Sequence, residues 1–359
     1  MCGLNPRSRL VLAKLEGTPG SDSGPTVGTD DLFVSMDSPG IKLGVTQVGN
    51  EPASPTGYEL PAAIATIKPS ATYRIPLYGK GLSTGSPVLP KWLDVLLASC
   101  GHVNRYAGSP AASAVAWTPD AIYPRTTSVL NAVTANNCTF TLYDYLARDG
   151  AITGGAGGGT KILQAMVGCR VSQVRVVLTV GQWAFLEVDI LGESVQPISV
   201  TTDLSSADLD NVRTDFVRSN SAQSSLNYGG AISLQCQSTT WTIDFGANQE
   251  EGDTTSAGVA TVGVRQALVT GSTNPIQATA NIAAFSDAQF GQERGAYAMA
   301  GSMTPADQLV DTGYTIRVGA PAVQIVYDYD TSGSVVRLPS TLKAVSADST
   351  TPPISITLS

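Results

Sequence analysis

Short runs in which apolar and polar residues alternate, each ended by glycine, proline or an Asx residue, recur along almost the whole chain. Alternation with a period of two is what a half-buried strand needs, because successive side chains point to opposite faces. ATYRIPL (Ala71 to Leu77) and TFTLYDY (Thr139 to Tyr145) alternate in this way. VRVVLTV and WAFLEVDIL are β-branched and aromatic runs on either side of Gly181-Gln182, and with Asp149-Gly150 as a further turn they predict an antiparallel sheet. Beyond residue 200 the same punctuation separates AISLQCQ, WTIDFG, VGVRQALVTG, IQATANIAAF, YTIRVG, AVQIVYDYD, SVVRLPSTLKAVS and PISITLS. The expected fold class is mainly β.

One segment follows a helical period instead. In LPKWLDVLLASCGH, Leu89, Trp92, Leu93, Leu96, Leu97 and Cys100 recur at intervals of three and four, predicting one flanking α-helix at about 88–100. Pro90 marks its start, Gly101 its stop, and His102 stands just beyond. Before it, RSRLVLAKL predicts a first strand or arm, followed by EGTPGSDSGPTVGTDD, a polar flexible arm or loop. DLFVSMDSPGIKLGVTQVG supplies further sheet segments, whereas Val103 to Asn137 predicts a long loop. The polar stretch near residue 200 suggests two β-rich domains, 1–200 and 201–359, which share a plan of strand pair, polar loop and Gly-bounded strands.

The chemistry-bearing residues form no catalytic set. His102 is the sole histidine, no Gly-x-Ser-x-Gly elbow surrounds a serine, and the five cysteines are scattered without a Cys-x-x-Cys pair. They are expected to be reduced and mostly buried. The run Gly154 to Gly159 lacks the Gly-Lys-Ser/Thr ending of a phosphate loop and predicts a hairpin or tight turn. Gln249 to Asp253 and Asp328 to Asp330 are acidic clusters without the spacing of a calcium loop and predict solvated turns. Trp92, Trp117, Trp183 and Trp241 are expected to be core or interface anchors. We expect no enzyme, no cofactor and no bound metal.

Charge narrows the partners. A formal net charge of −8 disfavours tight binding to nucleic-acid phosphates, and a 14% charged share falls below the roughly 25% usual for soluble domains. Something other than solvent is expected to face much of the surface. No stretch approaches the ~20 apolar residues of a membrane span, and the N-terminus lacks the apolar core of a secretory signal, so residence in a cytoplasm without a membrane anchor is expected.

The order of an N-terminal arm, a strand leaving through Tyr78-Gly-Lys-Gly81, and LPKWLDVLLASCGH resembles the tail tube (major tail) proteins of long, non-contractile-tailed bacteriophages. In that comparison Pro90, Val95-Leu96 or Leu96-Leu97, and Gly101 stand approximately for the family's Pro-x-x-x-x-Leu-Leu-x-x-x-Gly pattern. The stretch from Thr139 to Ser194 is similar to the family's strand, turn, glycine-rich hairpin and strand pair, and the second half is similar to larger two-domain members.

The resemblance implies tandem β-sandwich or half-barrel domains, and subunits that form stacked rings around a conduit for double-stranded DNA. The DNA would pass without specific binding, and other tail proteins would cap the ends. Homotrimeric rings with pseudo-six-fold symmetry are expected, hexameric rings being the second choice, in a virion tail made in the host cytoplasm. At segment level the expected subunit contacts are Thr18, Gly20, Gly24 and Thr29 of the arm, Trp117 and Tyr123 of the long loop, and Gly154, Gly155, Gly157, Gly158 and Gly159 of the hairpin. The rival readings are a monomeric carbohydrate- or cell-surface-binding β-sandwich, and a tail terminator or capsid decoration protein.

Overall fold

The computed structural model describes residues 9–48, 63–77, 90–105, 115–119, 139–147, 161–179, 182–201, 225–228, 232–251, 259–263 and 268–276. It also describes short stretches between 304 and 358: 304–305, 308–309, 315–320, 322–327, 330, 332, 337, 339–346 and 352–358. These residues are mainly strand, with one short helical segment, and the strands pair antiparallel.

The strand Lys161–Thr179 organises the molecule because it belongs to two sheets. Its first part pairs with Phe140–Ala147 on one side and with Ser194–Val195 and Ser199–Thr201 on the other. Phe140–Ala147 in turn pairs with Arg9–Leu15, and Arg9–Leu15 with Asp31–Leu32. Its last part pairs with Phe185–Leu191 and Ile232–Asp244 instead. Just before the change of partners, which follows Cys169 opposite Phe140, lies Gly168, at φ +63°, a left-handed conformation that an L side chain takes only at a cost. A Cβ there would also come within 2.6 Å of the Glu193 side chain. The residue that lets the strand change sheets is therefore a glycine for two independent reasons.

The wider sheet runs Gly40–Val48, Ala63–Pro76, Phe185–Leu191, Lys161–Thr179, Ile232–Asp244, Leu268–Ile276, Ser340–Val345, Ala322–Tyr327. Numbered by their sequence order, the first four of these strands stand first, second, fourth, third. The last four repeat that order.

Alternation puts Tyr73, Ile75, Leu186, Val188, Val174, Val176, Trp241, Ile243, Val269, Leu342 and Val323 on one buried face. Full burial of each large apolar side chain contributes about 1.5–3 kcal/mol, far more than any strand propensity. One continuous core therefore includes residues from both sides of position 200, and the segment 202–224 between them lies outside the described residues.

Three expectations need correction. The helix predicted over 88–100 is a π-helical stretch, Trp92–Leu97, followed by one α-turn, Ala98–Cys100, and the Ala98 N–H donates to the Leu93 carbonyl five residues back. Every residue from Trp92 to Cys100 except Asp94 is buried, so the segment is enclosed rather than laid on a surface by one stripe. Gly101 does stand at the end of the helical segment, as its C-cap, but in an extended conformation at φ −165°, and it starts the strand Gly101–Arg105.

The predicted loop over 103–137 contains strand as well. Gly101–Arg105 pairs with Val115–Pro119, which pairs with Ser355–Leu358, and that strand pairs with Thr315–Gly319. The outer partners, Ser355–Leu358 and Thr315–Gly319, lie far along the chain, so no local pattern marks them.

Finally, Asn248–Glu251 of the acidic cluster is a strand paired with Val259–Gly263, not a turn. Its Gln249 Nε2 donates to the carbonyls of Pro69 (2.7 Å) and Gly192 (2.8 Å), so the hairpin straps the wide sheet. Asp330 forms an isolated antiparallel bridge with Arg337, and its carboxylate accepts from the Ser332 amide and hydroxyl, while 328–329 lie outside the described residues.

Candidate assembly surface

The wide sheet has a second face, and it is polar. Thr72 and Arg74 stand beside Asp189 and Glu187, which stand beside Gln173 and Arg175, followed by Asp244 and Thr242, then Thr270 and Lys343. Opposite charges on adjacent strands meet across the ladder: Arg74 lies 3.5 Å from Glu187, Arg175 3.4 Å from Asp189, and the Thr72 hydroxyl donates to Asp189 at 2.8 Å. Arg74 also reaches Asp37 at 3.2 Å and covers the Phe185 ring at 3.8 Å. The two arginines on this face are thus matched by carboxylates.

At its two ends the sheet is open. Among the described residues, Gly40–Val48 pairs only with Ala63–Pro76, and Ala322–Tyr327 only with Ser340–Val345. On the first of these strands Leu43 is 50% and Val45 45% exposed. They are two residues apart, so both side chains point to the same side of the strand. A strand edge with bare backbone donors and acceptors, carrying exposed apolar residues, is a template for pairing with another strand.

The segment 16–31 is docked on its own chain, contrary to the expectation of a flexible arm. Glu16, 3% exposed, accepts four hydrogen bonds: from Thr139 Oγ1 (2.6 Å), Thr141 Oγ1 (2.9 Å), the Gly168 amide (2.8 Å) and the Gly20 amide (2.7 Å). Asp22 accepts from Tyr143 and Gln196. Desolvation works against the Asp22 charge, but the donors Tyr143, Gly24 and Gln196 outweigh it and hold the carboxyl below its ordinary range. Buried Asp30 meets Lys91 at 3.2 Å and accepts from Thr26, tying the segment to the start of the helical stretch.

Close by, Asp144, wholly buried, takes Arg9 in a two-pronged grip (2.8 and 2.6 Å) and the Tyr73 hydroxyl at 2.9 Å. Burial, then the Asp144 charge, pushes the Tyr73 phenol well above its usual value. Burial, then Glu16 and Glu193, does the same to the Cys169 thiol.

These shifts have a definite sign. Both groups are neutral in the folded chain while the unfolded chain ionises them from ordinary values of 9.0 and 10.0. Their contribution is therefore complete below about pH 9 and is lost above it. The melting temperature should fall between pH 8 and pH 10.5, and Cys169→Ala should remove part of that fall.

The residues named from the sequence are dispersed. Thr18, Gly20, Gly24 and Thr29 lie in the docked segment, where the Thr18 carbonyl accepts from Ser21 and the Gly24 amide donates to Asp22. Trp117 is wholly buried, and its indole N–H donates to the Leu97 carbonyl at 2.7 Å, so it anchors the core of its own chain. Trp92 and Trp241 are likewise core residues, while Trp183 is 36% exposed. His102 lies in the strand Gly101–Arg105, opposite Thr118. Tyr123 and Gly154 to Gly159 lie outside the described residues.

The two open edges, Glu16 and Asp144 escaped the sequence reading. Glu16 ends the apolar run RLVLAKLE, and a carboxylate closing an apolar strand was the available signal.

No family model matches this chain. A search of curated proteins finds no match either.

Proposed function

We propose that this chain is a structural subunit that assembles with copies of itself into stacked rings, forming a hollow tube of the phage tail-tube kind. The observation that carries the reading is the repeated strand order within one continuous sheet whose two end strands are open. A unit used twice side by side can be used further by adding copies, and a barrel is the arrangement that leaves no edge exposed. In this reading 1–200 and 201–359 are tandem tail-tube-like units, and three chains supply six units to a ring.

The polar face would line the conduit. Its arginines are engaged by Glu187 and Asp189, and the whole chain carries −8, so phosphate oxygens meet no unmatched cationic stripe. Double-stranded DNA could then slide without adhering. No catalytic step enters this function, and the subunit needs no cofactor for it.

Negative-stain microscopy and native mass spectrometry of the purified chain test the proposal. The expected result is concentration-dependent hollow rods, with a smallest closed species of three chains. A stable monomer at high concentration would end the reading in favour of a monomeric binding sandwich. Six full-length chains per ring would retain the tube and refute the trimer.

A further inference from the structure

The joint between the two halves of the wide sheet shows how one four-strand unit meets the next. There, the third strand of the first unit in sequence order, Lys161–Thr179, pairs antiparallel with the first strand of the second unit, Ile232–Asp244, from Ser238 opposite Thr179 to Asp244 opposite Gln173. On the buried side this joint sets Trp241 against Val176 and Ile243 against Val174. The third strand of the second unit is Ala322–Tyr327, and it has no neighbour beyond it among the described residues. The first strand of the first unit, Gly40–Val48, lacks a second neighbour in the same way, but stands at the opposite end of the sheet.

Resting on the assembly reading above, we propose that Ala322–Tyr327 of one copy pairs antiparallel with Gly40–Val48 of a second copy, repeating between chains the joint already made within the chain.

Direction and chemistry both agree with this pairing. Neighbours alternate in direction along the sheet, so its first and last strands run oppositely, and copies set side by side continue the antiparallel pattern without a break. The internal joint is apolar on one side of the ladder, and the open strand offers Leu43 and Val45 on one side of its own. Those two residues lie on the same side as Ile41, which packs against the core, so a partner strand would extend the core across the boundary. The contact uses different surfaces on the two copies. Such an arrangement closes into a ring or runs on as a filament, but does not stop at a two-fold dimer.

Two variants of the full chain separate the possibilities. The first, Leu43→Asp with Val45→Asp, disables one edge and leaves Ala322–Tyr327 intact. The second places proline in Ala322–Tyr327 and leaves Gly40–Val48 intact. Adjacent strand residues alternate in whether the N–H faces the inner ladder, so Gln324→Pro and Ile325→Pro are both made, and the one that keeps the wild-type circular dichroism is used.

Native mass spectrometry should then find rings for the wild type and monomers for each variant alone. An equimolar mixture of the two variants should give a one-to-one dimer that grows no further. Either variant forming rings or self-paired dimers would overturn the proposed edge pairing. A mixture that stays monomeric while the wild type assembles would overturn it too, leaving the assembly reading in place. A wild type that never assembles would remove both.

Discussion

Asp144→Ala is expected to destabilise the chain by about 3–5 kcal/mol, the range for removing one partner of a buried ion pair and leaving the other behind. The site is severe because the loss is shared. Asp144 is wholly buried and receives two bonds from Arg9 and one from Tyr73, while Arg9 donates to only one other acceptor identified here, the Ser38 carbonyl at 2.6 Å. With the carboxylate gone, a guanidinium only 10% exposed is left without its anion, and a buried phenol without its acceptor. Three strands meet at this point: Arg9–Leu15, Phe140–Ala147 and Ala63–Pro76. Urea denaturation of the subunit would measure the loss, with Asp37→Ala as a control. Asp37 is 60% exposed and its partner Arg74 32%, and pairs of that kind contribute about 0–1 kcal/mol. A loss at Asp144 no larger than the control's would refute the assignment.

Glu16→Ala should have a second large effect, by a different route. Among the described residues the four donors to Glu16 are two hydroxyls and two backbone amides. Each buried donor left unmade costs about 1–3 kcal/mol, moderated where the cavity admits water, so a total loss of at least about 3 kcal/mol is expected. Glu16→Gln should recover only part of it, because an amide carries one acceptor oxygen where the carboxylate carried two. The two losses should also differ in where they act. Amide hydrogen exchange of the Glu16 variants should first rise in residues 16–31, which the carboxylate pins, whereas Asp144→Ala should loosen the sheet beneath. Unchanged exchange across 16–31 would show that the cage does not hold the segment.

These two centres also show what the sequence could convey. Segments such as Ala71 to Pro76 and Phe185–Leu191 were legible because their burial alternates, and alternation is a local property. The helical stretch was legible from apolar residues three and four apart, but its π geometry was not, since that spacing is the one an α-helix also shows. VNR and VAW, within 101–119, are short and lie among small residues, and their strand state depends on Ser355–Leu358 from the far end of the chain. The segment EGTPGSDSGPTVGTDD was read correctly as unable to build an apolar core. It is fixed by polar means instead, through Asp22, Asp30 and the donors around Glu16, each of which needs a partner the local sequence does not contain. Of the proposed assembly surface, the low charged share raised the expectation of a covered exterior, while the strands that would do the covering are set by sheet order.

The bend at Gly168 has a mechanical consequence. Because Lys161–Thr179 runs through both sheets, a pull applied to either one is carried to the other along peptide bonds rather than across a packed interface. Side-chain packing between layers can shear when loaded; a continuous backbone cannot. A subunit strung in series with many copies would for that reason be expected to yield first where chain meets chain, and only afterwards within itself.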